Sequence, residues 1–343
     1  MTAPTVSPAD AQAPHPGPSL SPSRAADFKT CPLLFRFRTI DRLPEQPTAD
    51  QVRGTLVHAV LESLFDLPAA ERTPEAAAAL VAPSWGRLLE QEPALAEIFA
   101  AATTGRPVDR LATDRLATDR LADAAATLPV VDPAAVAAEA DATGGVTDDD
   151  EQARLAAFLA SAQALLPGYF AVEDPSRLEP AERETLISTL IDDELLIRGY
   201  IDRLDVAPTG DLRVVDYKTG GAPREAFEGR ALFQLKFYAL VLWRTRGVVP
   251  RVLRLVYLKD AEVCDYSPDA DELQRFERTL VALSEAIERA KREQNFPPKP
   301  SRLCGWCSHQ ARCPEFGGTP PPYPAAREEA SPQIGPADDD RLA

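Results

Sequence analysis

The sequence lacks the features that would assign it to a membrane, secreted or motor protein. We expect no membrane span, since no apolar run is judged to approach the 18 or more residues required, and the N-terminus has no hydrophobic signal core. The phosphate-binding loop G-x-x-x-x-G-K-[ST] of nucleotide-driven motors is also absent. We therefore expect a cytoplasmic protein that contacts no membrane and contains no helicase motor of its own.

Positive charge is scarce overall, because the formal net charge is −16. The deficit lies mainly in residues 66–197, which hold 9 lysines and arginines against 25 aspartates and glutamates. Residues 198–316 hold 20 basic against 17 acidic residues, and residues 20–65 hold 6 against 5. These two stretches are together weakly basic, which does not imply tight non-specific binding to nucleic acid.

Composition divides the chain into one large domain and two tails. Residues 1–19 are rich in proline and alanine, and residues 317–343 in proline and acidic residues, so both are predicted to be disordered. The remaining domain, 20–316, includes an alanine-rich helical insertion over 66–180. Within it, DRLATDRLATDRLAD at 109–123 repeats every five residues, which does not match the helical period and indicates a low-complexity expansion.

The most informative segment is 198–220, RGYIDRLDVAPTGDLRVVDYKTG, in which turn residues separate two apolar, β-like runs. The Pro-Thr-Gly turn at 208–210 suits a three-residue hairpin loop, with proline starting a type I turn and glycine supplying the left-handed residue. Pairing of Ala207 with Asp211 across this loop would set the register of the whole hairpin. The turn therefore predicts which side chains of the two strands face each other.

In this register Asp202 lies opposite Asp216, with Cβ atoms about 4.5–5.5 Å apart, and Lys218 shares the face of Asp216. Facing carboxylates repel unless a cation lies between them, and hard oxygen ligands select Mg²⁺ or Mn²⁺. The lysine can then position or deprotonate a water while the metal polarises a phosphodiester. The alternative is an ordinary hairpin with exposed ion pairs, but the flanking valines and isoleucine indicate a buried strand pair, where unpaired charge is costly.

The two runs GYIDRLD and VVDYKTG resemble the nuclease domain of RecB-type exonucleases, in the PD-(D/E)XK superfamily. The resemblance implies that Asp202 and Asp216 bind a divalent metal and that Lys218 is catalytic. It also implies the Tyr217 carbonyl as a further metal ligand.

Two other segments extend this resemblance. RGTLVHAVLE is similar to the family's histidine helix and implies that His58 is a metal ligand, the alternative being a structural histidine on a helix. FQLKFYAL is similar to the family's Q-x-x-x-Y helix and adds Gln234 and Tyr238 to the catalytic set, the alternative being a core tyrosine and a boundary glutamine. Glu184 corresponds to a glutamate that often precedes the family's hairpin, and it is assigned no role.

Five cysteines make a separate argument. Four of them form a C-x2-C-x5-C run with one distant upstream partner: Cys31, Cys304, Cys307 and Cys313. Without a secretion signal we expect no disulfides, and four thiolates suit either zinc or an iron–sulfur cluster. The arrangement resembles that of AddB-type and CRISPR-associated nucleases and implies a [4Fe–4S] cluster that joins the two ends of the domain. Cys264 is predicted to be a buried thiol and His309 to be exposed.

The expected fold is α/β, with the mixed central sheet and flanking helices of the PD-(D/E)XK core. The predicted strands are 197–207, 211–219 and 252–259, and the predicted helices are 53–66, 229–245 and 269–294. The resemblance implies a Mg²⁺- or Mn²⁺-dependent DNA exonuclease that acts on single-stranded ends in repair or recombination, with a separate helicase or recombination partner. The alternatives are a CRISPR-associated nuclease that trims spacer precursors and a non-cleaving, DNA-end-binding accessory subunit.

Overall fold

The computed structural model describes residues 17–100, 148–222 and 228–324, which form one mixed sheet with helices on both faces. Its strands are β1 (Ser19–Leu20), β2 (Glu182–Ile191), β3 (Leu195–Val206), β4 (Leu212–Lys218), β5 (Val252–Tyr257) and β6 (Glu262–Tyr266). Its helices are α1 (Pro22–Thr30), α2 (Pro32–Phe35), α3 (Ala49–Leu64), α4 (Pro74–Gln91), α5 (Glu97–Ala100), α6 (Asp148–Gln163), α7 (Leu166–Val172), α8 (Glu228–Arg246) and α9 (Ala270–Glu293). The predicted α/β class is confirmed, as are the three strands and three helices, each to within four residues.

Strand β3 organises the sheet. It pairs antiparallel with β2 from Leu195 to Leu204 along one edge, while its other edge is divided between two partners. β1 pairs parallel with Leu196 and Ile197, and β4 pairs antiparallel with residues 203–206 only. On its other edge β4 pairs parallel with β5 over residues 213–218, and β5 pairs antiparallel with β6. The sheet is therefore mixed, and β3 and β4 diverge beyond a short region of contact.

The hairpin between β3 and β4 has the predicted register. The Ala207 N–H donates to the Asp211 carbonyl at 2.9 Å, and Gly210 has a φ of 85°, as the left-handed turn position requires. Regular strand pairing ends where Arg203 faces Val215. The next residues along this register are the two predicted acids, which thus stand where the strands begin to separate.

Two apolar clusters cover the two faces of the sheet. The first contains Val214 of β4 with residues of α1, α8 and α9, and the second contains Val215 with residues of α3, α4, α6 and α7. Successive side chains of β4 thus enter opposite clusters, as expected for a strand buried on both faces. Helix α3 starts with a capping box, in which Thr48 accepts from the Gln51 N–H at 3.2 Å and Gln51 accepts from the Thr48 N–H at 2.9 Å.

Side-chain alternation along β3 is broken at Asp202. Ile201 belongs to the first cluster, whereas Arg203 contacts the second, although regular alternation would place both on one face. On the neighbouring strand, Glu184 has a φ of 42°, a left-handed conformation that disfavours residues other than glycine. The β2–β3 register is the same on both sides of this residue, so the irregularity is a local twist without an inserted residue.

Residues 150–172 are long and apolar enough to cross a membrane by length and composition alone. The expectation that no run approaches this length was wrong, because residues 155–172 hold no charged side chain. The structure divides the stretch between α6 and α7, and the large side chains Phe158, Leu166 and Tyr169 are buried in the second cluster. Much of the apolar character of its exposed side comes from alanines, which are small.

Parts of both predicted tails belong to the folded structure. Ser19 lies in β1, and Tyr323 stacks on Phe296 of the first cluster with ring centroids 6.1 Å apart. The tail boundary at 317 was therefore wrong for residues 317–324. The repeat at 109–123 lies outside the described residues.

Gly168 should be needed where α7 crosses β5. A Cβ added there would lie 1.8 Å from the Leu258 carbonyl oxygen, so Gly168→Ala should lower the free energy of unfolding by about 2 kcal/mol. Gly86, inside α4, has open space around it, and Gly86→Ala should raise that free energy by about 0.5–1 kcal/mol. Chemical denaturation of both variants checks this, and equal effects would contradict the close approach of α7.

Candidate functional site

The predicted site residues meet where β3 and β4 diverge. Asp202 comes from β3, and Asp216 and Lys218 come from the end of β4. His58 comes from α3 and faces Asp202. Asp216 is only 1% exposed. The structure therefore brings residues from three separate elements into one largely buried group.

Asp202 replaces a missing strand-to-strand hydrogen bond. Its Oδ2 accepts the backbone N–H of Tyr217 at 2.7 Å, beyond the last regular pair of the hairpin. The carbonyl of the same residue, Tyr217, accepts a hydrogen bond from His58 Nε2 at 2.9 Å. The backbone of Tyr217 thus fixes both Asp202 and His58. The carbonyl predicted as a metal ligand lies beside the site and keeps a second lone pair.

The other ring nitrogen of His58 faces two carboxylates. Nδ1 lies 3.5 Å from Asp202 Oδ2 and 3.7 Å from Glu184 Oε1. Within residues 17–100, 148–222 and 228–324, these three residues are the one group of His, Cys, Asp or Glu whose ligand atoms all lie within 4.8 Å of one another. With Nε2–H bonded to Tyr217, a neutral ring presents its Nδ1 lone pair to the carboxylates. The carboxylates of this group are ligands that suit a divalent cation such as Mg²⁺ or Mn²⁺.

Sequence analysis gave Glu184 no role, yet its carboxylate completes this group. Its left-handed backbone lies opposite Asp202 in the β2–β3 register. A signal was present in the turn at Asp192 and Asp193, because aspartate tolerates the left-handed conformation that both adopt. A hairpin closed there would have placed Glu184 opposite Asp202.

A chain of polar contacts holds Lys218. Its Nζ lies 2.7 Å from Asp216 Oδ2 in an ion pair and donates to Gln234 Oε1 at 2.9 Å. Gln234 Nε2 in turn donates to the Tyr238 hydroxyl at 2.8 Å. A Cβ at Gly199 would lie 2.7 Å from the Tyr238 ring, so glycine permits this approach. Both residues predicted from the Q-x-x-x-Y helix are thus linked to the lysine.

The protonation of the site follows from its crowded charges. Burial lowers the pKa of His58, but the Asp202 and Glu184 carboxylates outweigh it and raise that pKa to about 9. Burial raises the pKa of Asp202 to about 7, despite the opposing charge of His58. Burial lowers the pKa of Lys218, and Asp216 and Asp202 raise it more, so its net shift is upward. A charged Lys218 suits stabilising negative charge and positioning water better than removing a proton.

The cysteines lie at a second location. All four predicted cluster ligands line one cavity of about 240 Å³, between α1–α2 and the turns after α9: Cys31, Cys304, Cys307 and Cys313. No three of their sulfurs lie within 4.8 Å of one another among the described residues. A zinc ion bound at about 2.3 Å would hold its sulfurs about 3.8 Å apart, so the arrangement is more open than a zinc site.

Two residues that do not line this cavity differ from prediction in their burial. His309 was predicted to be exposed, but it is 5% exposed, lies 2.5 Å from a carboxylate oxygen of Glu45 and packs edge-on against Phe37. Cys264 lies on β6 and is partly rather than fully buried. The burial of His309 depends on partners more than 260 residues away in the chain, which the local sequence does not reveal.

Comparison with protein families identifies the superfamily of this chain. The family model of the PD-(D/E)XK nuclease superfamily matches residues 19–314. The Gene 69 protein of Mycobacterium phage D29 is 32% identical over 127 residues, which are 36% of this chain and 45% of the phage protein. The match thus spans less than half the length of that relative. A candidate exonuclease from Eubacterium rectale is 11% identical, covering 88% of this chain and 89% of that chain with a TM-score of 0.46, which is too distant to bear on function.

The raised pKa of His58 predicts how pH changes the effect of metal. A group whose pKa rises on folding stabilises the fold below its ordinary value, and this contribution is lost as pH rises through the folded value. The metal-free protein should therefore lose stability from about pH 6.5 to about pH 9 as His58 loses its proton. Because Mg²⁺ must displace that proton, the rise in Tm on adding Mg²⁺ should be larger near pH 9 than near pH 6.

Thermal unfolding with and without Mg²⁺ checks this without any substrate. His58→Gln is the control, since an amide does not titrate, and its Mg²⁺-induced rise in Tm should depend less on pH. A rise in the unaltered protein that is equal or smaller at the higher pH would contradict the assignment of His58 to the metal group.

Proposed function

Because the chain belongs to the PD-(D/E)XK nuclease superfamily, we propose that it is a Mg²⁺- or Mn²⁺-dependent exodeoxyribonuclease of the RecB type. The supporting observation is the meeting of His58, three carboxylates and Lys218 at the opening between β3 and β4. Burying three acids together is costly unless a cation compensates them.

The residues divide the work of phosphodiester hydrolysis. When bound, the divalent cation polarises the phosphodiester and stabilises negative charge. His58, Glu184, Asp202 and Asp216 would hold it. Lys218, kept charged and oriented by its contacts with Asp216 and with the Q-x-x-x-Y helix, positions the attacking water and stabilises the developing charge.

The choice of substrate rests on the motif resemblance. We propose single-stranded DNA ends as the substrate and repair or recombination as the setting, in the cytoplasm. The sequence has no phosphate-binding loop, so opening of duplex DNA would need a separate helicase or recombination partner. The weakly basic balance of residues 198–316 fits a protein that such a partner brings to its substrate.

The cysteine cavity is proposed to hold a [4Fe–4S] cluster with a structural role. Its four thiols come from both ends of the domain and surround one space. Two backbone N–H groups point at them, from Lys299 to Cys31 Sγ at 3.4 Å and from Ser301 to Cys304 Sγ at 3.3 Å. Such bonds are typical partners of cluster sulfurs.

Replacement of Lys218 tests the catalytic assignment. Lys218→Ala should lower the cleavage rate at least about 100-fold while DNA binding survives, because the lysine acts on developing charge. Lys236→Ala is the matched control, since Lys236 lies on α8 and pairs with Glu272 outside the site. Digestion of 5′- and 3′-labelled single- and double-stranded DNA, with RNA in parallel, measures rate, polarity and substrate class.

The same assay separates the alternatives. Near-normal cleavage by Lys218→Ala would overturn the catalytic assignment. A protein that binds DNA ends but never cleaves them with Mg²⁺ or Mn²⁺ would be the accessory subunit instead. Faster cleavage of RNA than of DNA would overturn the proposed substrate.

Metal analysis tests the cluster. Protein purified without oxygen should be brown, with broad visible absorbance and about four irons per chain. Cys31→Ala should lose the iron and destabilise the domain, whereas Cys264→Ala, outside the cavity, should keep the iron. Colourless protein with one stoichiometric zinc would contradict the proposal.

A further inference from the structure

Tyr217 is also fixed at a third point, through its side chain, on the face of the sheet that α3 covers. Its ring is buried in the second apolar cluster, and its hydroxyl accepts a hydrogen bond from Arg203 Nη1 at 2.7 Å. The backbone N–H and carbonyl of the same residue bind Asp202 and His58. Tyr217 therefore connects the Arg203 contact of its side chain to two candidate metal ligands held by its backbone.

The guanidinium that holds this hydroxyl is itself held firmly. Arg203 is 1% exposed, and two of its nitrogens bind the two Glu173 carboxylate oxygens at 2.7 and 3.0 Å. This is the two-point geometry in which arginine and carboxylate bind most strongly and directionally. Asp205 also contacts Arg203, at 3.1 Å. The hydroxyl of Tyr217 thus meets a donor that has little freedom to move.

Glu173 belongs to a part of the chain remote from the hairpin. It directly follows α7, at the end of the stretch predicted as a variable insertion. Helix α7 approaches the backbone of Leu258, directly after β5, at Gly168, and Arg254 of β5 donates to Glu173 Oε1 at 3.1 Å. The insertion therefore presents Glu173 to Arg203 from a position anchored on the sheet.

We propose that Arg203 and Glu173 are positioning residues for the metal group, acting through Tyr217. A buried ion pair is weak evidence for a role in stability alone, because desolvation offsets much of its attraction. Arg203 directly follows Asp202 in the chain, so the pair also fixes β3 beside the ligand. The inference rests on the proposed metal-dependent function and adds the part of the protein that sets the ligand geometry.

Tyr217→Phe removes the hydroxyl and keeps the ring. Replacing a residue that hydrogen-bonds to a metal ligand typically weakens metal binding about 10- to 100-fold. The Tyr217 hydroxyl is one contact further from the ligands, so we expect Tyr217→Phe to weaken Mg²⁺ binding about tenfold. Tyr169→Phe is the control, because that buried hydroxyl is 3.4 Å from the same guanidinium and its residue binds no candidate ligand. Its Mg²⁺ affinity should change less than about twofold.

Calorimetric titration of Mg²⁺ without DNA measures both affinities, so the result does not depend on whether the protein is a nuclease. In DNA cleavage, Tyr217→Phe should need more Mg²⁺ for half-maximal rate and recover at high Mg²⁺, which a merely less stable protein would not do. Equal losses in both variants, or none in either, would overturn the proposal. If Tyr217→Phe does not fold, Glu173→Gln decides, and unchanged Mg²⁺ affinity in a folded Glu173→Gln protein would overturn it as well.

Discussion

The hydrogen bond from the Tyr217 N–H to Asp202 is the contact on which the candidate site depends. β3 and β4 pair over only four residues each and then separate, while β4 stays paired with β5 up to Lys218. In most sheets the freed N–H would bond to a neighbouring backbone or to water. Here a carboxylate takes it, and the opening between the strands becomes a lined recess instead of a frayed edge. The two apolar clusters hold this recess from both faces of the sheet.

The helices on each face of the sheet supply different chemical groups to the site. On one side α3 brings an imidazole to the acids, and on the other α8 brings an amide and a phenol to Lys218. The sheet itself supplies only charges. Because the helices pack on the sheet through buried apolar side chains, the polar groups need no long-range electrostatic attraction to find one another. The fold thus assembles a highly charged site from ordinary hydrophobic packing.

The sequence was most informative where the determinants are local. The Pro-Thr-Gly turn set the hairpin register, and turn geometry depends on a few adjacent residues. The placement of His58 beside Asp202 could be expected only by resemblance, since 144 residues separate them. The turn at Asp192 and Asp193 signals the register that places Glu184 opposite Asp202, but glutamate does not signal the left-handed backbone found there. The burial of His309 and the packing of Tyr323 likewise depend on distant partners, and alanine-rich α6 shows that apolar composition is not the same as a buried position.

The left-handed backbone at Glu184 places stability and chemistry in opposition at one residue. A residue other than glycine in this region costs about 1 kcal/mol or more, and glycine would remove that cost together with the carboxylate. Selection of variants for thermal resistance alone would thus favour the loss of a metal-site acid. An engineer who wants a more robust form of this protein should hold position 184 fixed and look for gains elsewhere, such as the open helical glycine at 86.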